Sequence, residues 1–240
     1  MVMVMAKEKE IKRDIKDETK LKKKKKKNKL WILLLLVILI VGGLLFYNFK
    51  LKKNNNTPKN VVTVKVVDSL DDYGYSISDK DSKYYKSEFE KLKKILKESK
   101  VDEEAYSTQV AKLFVIDLYT MSTKLNKYDV GGTEYFYKDK VEMYSKKVMD
   151  TLYSTLIDDT YGDRKQTLPE VSSVEVVSTE KTTYLVDEEK KDGYLVKLKI
   201  SYVSDMGYDD EASVVVVKED GARWSVVDYQ PTLKPTYDED

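Results

Sequence analysis

The chain has 240 residues, 43 basic and 42 acidic side chains, and neither cysteine nor histidine. Without cysteine there is no disulfide framework and no thiolate for metal or nucleophilic chemistry; without histidine the usual general base and zinc ligand are missing, so serine–histidine and cysteine–histidine catalysis are excluded. The formal charge of +1 hides two opposite parts, because residues 1–60 carry 17 basic and 5 acidic side chains, a balance of +12, which leaves −11 for the rest.

Residues 1–29 are short and highly charged, and such a segment is expected to be disordered because it cannot bury enough apolar surface to offset its ordering entropy. Leu30–Phe49 (LWILLLLVILIVGGLLFYNF) has no charge over its whole length. As a helix it would be roughly 30 Å long, the thickness of a bilayer's hydrocarbon core. It shows no polar stripe, so it predicts a single transmembrane helix at 30–49 rather than a buried core helix. Eleven basic residues lie within twenty on its N-terminal side: Lys12, Arg13, Lys16, Lys20, the run Lys22, Lys23, Lys24, Lys25, Lys26 and Lys27, and Lys29. The matching C-terminal window holds five: Lys50, Lys52, Lys53, Lys59 and Lys65. Positive charge stays inside, which predicts a cell-membrane protein with a cytoplasmic N-terminus and an extracytoplasmic C-terminal domain. Residues 43–53 offer no small-x-small cleavage site, so an uncleaved anchor is expected. Lys22 to Lys27 and Lys29 would then sit at the headgroups, each attracting anionic lipid by about 1 kcal/mol. A nucleic-acid partner is not expected, since the lysine run lacks interleaved aromatics and the larger part of the chain is acidic.

Residues 50–59 read as a polar linker. Asn60–Val67 (NVVTVKVV) alternates and is β-branched, which predicts a strand, and residues 68–79 read as turns. Three helical patterns follow. About Asp81 to Ser99, Tyr85, Phe89, Leu92 and Leu96 recur at helical spacing. The second opens on Asp102 as N-cap, with Glu103 and Glu104 in its first turn, and runs to about Asn126 along Tyr106, Val110, Leu113, Phe114, Leu118, Met121 and Leu125. It stops before Asp129-Val130-Gly131-Gly132, where glycine permits positive φ. The third spans about Lys138 to Ile157. After Pro169 the period becomes two, predicting strands at 171–177, 182–186, 194–203, 212–218 and 223–229, the last two joined at Glu219-Asp220-Gly221. Residues 232–240 form an acidic tail. The expected fold class is α+β, with one extracytoplasmic domain over 60–231.

Three helices followed by a meander of antiparallel strands, ending in VVVVKEDGARWSVVDYQP with Asp220-Gly221 at the turn and Trp224 opening the last strand, resembles the nuclear transport factor 2-like superfamily. That resemblance implies a cone of curved sheet wrapped on helices. It implies no single function, since the superfamily hosts scaffolds, small-ligand pockets and isomerases. The layout of lysine-rich tail, span and outer domain is also similar to the bitopic scaffold subunits of type IV secretion and conjugation systems.

Asp117 lies on the apolar stripe of the second helix, at about −60° from Phe114 when counted at 100° per residue, and so must be paired or hydrogen-bonded. Arg164 is its first expected partner, with a tyrosine hydroxyl or a loop backbone as alternatives. Alternatively, the resemblance to ketosteroid isomerases would make Asp117 a general base in the cone with a tyrosine as oxyanion donor. The acidic groups Asp158, Asp159 and Asp163, and Asp205, Asp209, Asp210 and Glu211, match no calcium loop and read as solvated loops. Tyr73, Tyr75, Tyr84, Tyr135 and Tyr137 lie in turns or at helix starts, where they would either form a partner surface or pack loops onto the core. No metal, cofactor or catalytic residue is expected. The function expected is a non-enzymatic interaction or scaffold domain of an envelope assembly, binding other envelope proteins or itself; a small-ligand or isomerase-like domain is the alternative.

Overall fold

The computed structural model describes residues 61–219 and 221–231, which fall in the second of two compact units, residues 60–240. Their elements are, in order, β1 (Val66–Leu70), β2 (Tyr75–Ser78), α1 (Lys83–Leu96), α2 (Glu103–Tyr119), α3 (Val141–Asp150), β3 (Val171–Val186), β4 (Glu189–Tyr202), β5 (Glu211–Lys218) and β6 (Trp224–Pro231). The expected tail at 1–29 with its lysines, span at 30–49, linker at 50–59 and acidic tail at 232–240 lie outside the described residues. The membrane localisation expected from the sequence is corrected here: among the described residues no helix is long and apolar enough to cross a membrane.

The chain is α+β. Period-two alternation builds one antiparallel sheet in the order β3-β4-β5-β6. Tyr194, Val196, Leu198 and Ile200 of β4 are buried while Lys197, Lys199 and Ser201 are exposed, the alternation expected of a strand with one face on a core. Asp187 and Glu188, both at positive φ (48° and 71°), join Val186 to Glu189 in a tight two-residue turn whose twist suits a hairpin. The strands expected at 171–177 and 182–186 are therefore one continuous β3, with register shifts between Val171 and Ser173 and between Val176 and Ser178. Such bulges add local twist and bend the strand.

The central helix is α2. Asp102 caps it, its Oδ1 accepting from the N–H groups of Glu104 (3.0 Å) and Ala105 (3.1 Å). Eleven of its 17 residues are buried, so it is covered nearly all round, by α1 on one side and by all four strands of the sheet on the other. Glu88 is tied between the two helices: Gln109 Nε2 donates to its Oε2 (2.9 Å), Lys91 to its Oε1 (2.7 Å), and Lys112 lies 3.0 Å away. Burial pushes the Glu88 carboxyl up, but these donors outweigh it and hold the group below its usual value.

Two expectations change in detail. The early strand begins at Val66 instead of 60, and the stretch read as turns supplies its partner β2 through a hairpin closed at Gly74 (φ 70°). The third helix is shorter than 138–157. It stops at Thr151 (φ −118°, ψ −89°), because Tyr153, on the opposite side of the helical wheel from Val148, turns into the core and donates its hydroxyl to Leu118 O (2.7 Å).

Buried tyrosines join these layers. The hydroxyls of Tyr85 on α1 and Tyr135 are 2.7 Å apart, and Tyr75 on β2 stacks on Tyr135 with ring centres 4.9 Å apart. Tyr75 Oη in turn lies 3.0 Å from Tyr106 Oη of α2 and donates to Trp224 O of β6 (2.9 Å). Both residues are buried, so removing one hydroxyl deprives the other of this partner at a cost of roughly 1–3 kcal/mol, while removing both leaves none unpaired. Urea unfolding of Tyr85→Phe, Tyr135→Phe and the double variant should show the double change costing clearly less than the two single losses added together; strict additivity would contradict the pairing.

Candidate functional site

The last turn of α2 carries Asp117 and no basic residue. A carboxylate at the C-terminal end of a helix faces the negative end of the helix dipole, so it needs donors from elsewhere. It receives two. After the C-cap Thr120 and a short 3₁₀ turn (Met121–Thr123), Lys124 folds back and its Nζ donates to Asp117 Oδ1. The loop 129–132 passes over the same point, and the Gly132 N–H donates to Oδ2 (2.6 Å).

The two glycines of that loop have separate reasons. A Cβ on Gly131 would lie 2.1 Å from the carbonyl oxygen of Asp117, and Gly132 sits at φ 79° with Phe114 and the Tyr144 hydroxyl where a Cβ would go. The loop is then pinned by Tyr144, whose hydroxyl donates to Gly131 O (2.6 Å).

Arg164, the partner expected for Asp117, is placed differently. It is buried, but its NH1 donates to Lys124 O (2.8 Å) and Ile157 O (3.2 Å) and its NH2 to Ser122 O (3.1 Å), with Asp159 at 3.8 Å. The carbonyls left unpaired where the chain leaves α2 attract the planar guanidinium. Arg164 therefore fixes the segment that presents Lys124. Helical spacing offers no reason to pair residues 117 and 124, since α2 ends at Tyr119 between them.

Asp117 also borders a cavity of about 310 Å³. Its lining includes the carboxylates Asp81, Asp117, Asp129 and Glu134 and the lysines Lys80 and Lys124, together with Val64, Val66, Ser76 and Ser78 from the β1–β2 ribbon. Glu134 accepts from Ser76 at both oxygens, from Oγ (2.6 Å) and from N–H (2.9 Å), and Asp81 accepts from Ser78 N–H (2.6 Å). Burial raises the Glu134 carboxyl, the Ser76 bonds oppose it, and the charges of Asp117 and Asp81 add to the rise. Asp81 is raised by burial and by Asp117, against the bond from Ser78. Burial alone would lower Lys124; the charge of Asp117 overrides it and holds the ammonium above its usual value.

Among the described residues no group of three or more acidic side chains is placed to hold a metal ion. The expected acidic loops show why. Asp158 Oδ1 accepts from Thr160 N–H (2.6 Å), Asp159 Oδ1 from Arg164 N–H (2.9 Å) and Asp205 Oδ1 from Gly207 N–H (3.0 Å), each bonding its own turn. Of the tyrosines singled out in the sequence, Tyr75 and Tyr135 are buried and Tyr73, Tyr84 and Tyr137 half-buried. They pack loops onto the core rather than forming an exposed patch: Tyr84 Oη, for example, accepts from Val174 N–H (2.8 Å) of β3. Two larger hollows, of about 580 Å³ at the β3–β4 hairpin and about 640 Å³ at the β1–β2 and β5–β6 turns, are not lined by Asp117.

Two outcomes follow from the charges. Asp117→Ala and Lys124→Met should each destabilise by about 3–5 kcal/mol, because each leaves the other charge buried and alone, and the double variant should cost much less than the sum. Paired with Arg164→Ala, Asp117→Ala should be closer to additive; urea midpoints of the four variants distinguish the cases. Asp81 behaves in the opposite sense. A carboxyl raised on folding favours the folded state most when it is protonated, below the unfolded value, and that advantage is lost as pH rises through the raised folded value. Asp81→Asn, whose amide oxygen can still accept from Ser78, should therefore raise the urea midpoint at pH 7 relative to the parent, and the gain should shrink as pH falls to the ordinary aspartate range. A variant less stable than the parent at pH 7 would contradict this.

No family model, curated protein or solved structure matches this chain.

Proposed function

We propose that this chain carries a non-enzymatic protein-interaction domain of the nuclear transport factor 2-like kind, taking its partner on its surface and not inside the cone. Support for the fold assignment comes from the element order, from α1 and α2 stacked against one face of a bulged antiparallel sheet, and from the closing β5–β6 hairpin. The space that a cone would offer to a ligand is occupied: Val110, Leu113, Phe114, Val196, Val214 and Val226 have no exposed surface, and Tyr229 meets Phe114 edge-on at 5.3 Å. Asp117, the candidate base, spends both oxygens on Lys124 and the Gly132 N–H. The isomerase-like alternative draws no support from either feature.

One observation carries the interaction reading. Val61, Val64, Val66 and Val67 are 60%, 44%, 66% and 56% exposed, next to one another in β1 and the segment leading into it. Apolar side chains that a fold leaves exposed close together along one segment mark a surface for another chain. Photo-crosslinking amino acids placed at Val61, Val64, Val66 and Val67, with Leu185 and Val203 as exposed controls, should give discrete higher-mass adducts in the native cells only for the first group. Adducts absent from the valine strand, with a small molecule retained by the purified protein in native mass spectrometry, would overturn the reading in favour of a ligand-binding domain.

A further inference from the structure

Among the described residues, the edge formed by β1 and the segment leading into it is uncovered over a short, defined stretch. Asp79 N–H donates to Lys65 O (2.9 Å) and Lys65 N–H donates to Asp79 Oδ1 (3.1 Å), so both backbone groups of Lys65 face the β2 side. Strand alternation then turns the N–H and C=O of Val64 and Val66 outward. Val62 has the same parity, and its N–H is taken by Thr160 O (2.8 Å). The loop at 158–162 therefore covers the edge as far as Val62, and among the described residues β1 has no strand beyond it.

That open stretch borders the acidic cavity. The side chains of Val64 and Val66 line it beside Ser76 and Ser78. On a strand added to this edge, the residue opposite Val66 would point from the same face and so over the cavity mouth. Inside, four carboxylates face two lysines, an excess of two negative charges. Lys124 is committed to Asp117, and Asp129 Oδ2 accepts from Leu125 N–H (2.9 Å). Among the described residues Asp81 and Glu134 have hydrogen bonds but no ion pair, and burial keeps both carboxyls above their usual values.

We propose that the open edge at Val64–Val66 accepts an extended segment of a partner protein that carries lysine or arginine, with one cationic side chain entering the cavity between Asp81 and Glu134. This rests on the interaction-domain reading above and names the partner's chemistry. Main-chain pairing supplies affinity, and the cavity supplies the choice of side chain.

The test uses the full-length protein and a short fluorescent peptide of alternating lysine and valine, followed by anisotropy. Two control peptides carry glutamate in place of lysine or N-methyl groups on alternate amides. Binding is expected for the lysine peptide alone, weakening as salt is raised. Asp81→Asn with Glu134→Gln should weaken it by about tenfold or more, since a desolvated charge pair loses its acidic partner. Val66→Pro should abolish it, because proline removes an outward N–H without removing a β1–β2 bond. The N-methylated peptide makes the same point on the unaltered protein, so the conclusion does not depend on how Val66→Pro folds. Equal binding of the lysine and glutamate peptides, or of the methylated and unmethylated ones, would overturn the proposal. If crosslinks form at the valine strand while the lysine peptide ignores the Asp81 and Glu134 changes, the partner chemistry is wrong and the interaction reading stands; no crosslinks at the strand would remove both.

Discussion

Everything around the cavity depends on the carboxylate of Asp117. It stands where α2 ends, where the helix dipole repels it and where the chain must turn. Its two oxygens collect the two segments that follow: Lys124 on one, the Gly132 N–H on the other. Arg164 then binds the carbonyls of Ser122 and Lys124, so the lysine that neutralises Asp117 is itself held by a second cation through its backbone. The ion pair is thus less a source of net stability than a device that fixes one path for the chain after α2, since the desolvation of two charges offsets much of their attraction. The glycines follow from that path: with the loop pulled against the helix end, position 131 has no room for a side chain.

The tyrosines do related work at lower charge. Burial pushes the Tyr75, Tyr85 and Tyr135 hydroxyls well above their ordinary value, which keeps them protonated and able to donate at any physiological pH. Each ring brings a large apolar area and each hydroxyl then needs a partner, so the rings can only pack where another hydroxyl or a carbonyl waits. The pairs Tyr85–Tyr135 and Tyr75–Tyr106 meet that need across α1, α2, β2 and the loop after Gly132, which makes the packing specific in register as well as apolar.

Periodicity made the sheet and the helix cores legible, because they depend on local patterns. Tyr194 to Tyr202 alternated visibly, and Phe89, Val110, Leu113, Phe114 and Leu118 fell on helical faces and are buried. The early strand was legible in part, but its partner β2 was not, since Tyr75 and Ile77 are too few to establish a period among turn-forming residues. Asp117 was identifiable because a charge interrupted an apolar stripe, and a loop backbone was among its expected partners, as the Gly132 N–H is; Lys124 was not, because that pairing is made by a turn and not by helical spacing. Glu88 was missed for a related reason: amid the charged residues of α1 it reads as solvated, and only the arrival of Gln109 and Lys112 from α2 makes it a buried acceptor. For the tyrosines two readings stayed open, a partner surface or loops packed onto the core, as turn positions say nothing of which way a loop folds.

Among the described residues four strand edges lack a pairing strand, those of β1, β2, β3 and β6, and they are treated differently; on β2 the Ser76 N–H is taken by Glu134 (2.9 Å). An open edge invites pairing with other chains, and folds normally protect it. The free side of β3 has two bulges, a bond from Val174 N–H to Tyr84 Oη, and a hydroxyl contact between Thr179 and Thr108 at 3.0 Å. The free side of β6 is met by the segment after Gly132, with Tyr137 N–H donating to Val226 O (2.8 Å) and a parallel bridge from Phe136 to Val226. At β1 the loop at 160 reaches Val62 and goes no further. Beyond it the chain runs Val64-Lys65-Val66, all three exposed, so a single lysine stands between two valines along this edge. Among the described residues the other three edges are met by bulge, helix, loop or carboxylate, while the stretch at Val64–Val66 beside the acidic cavity is not, and that contrast is what the proposed strand pairing draws on.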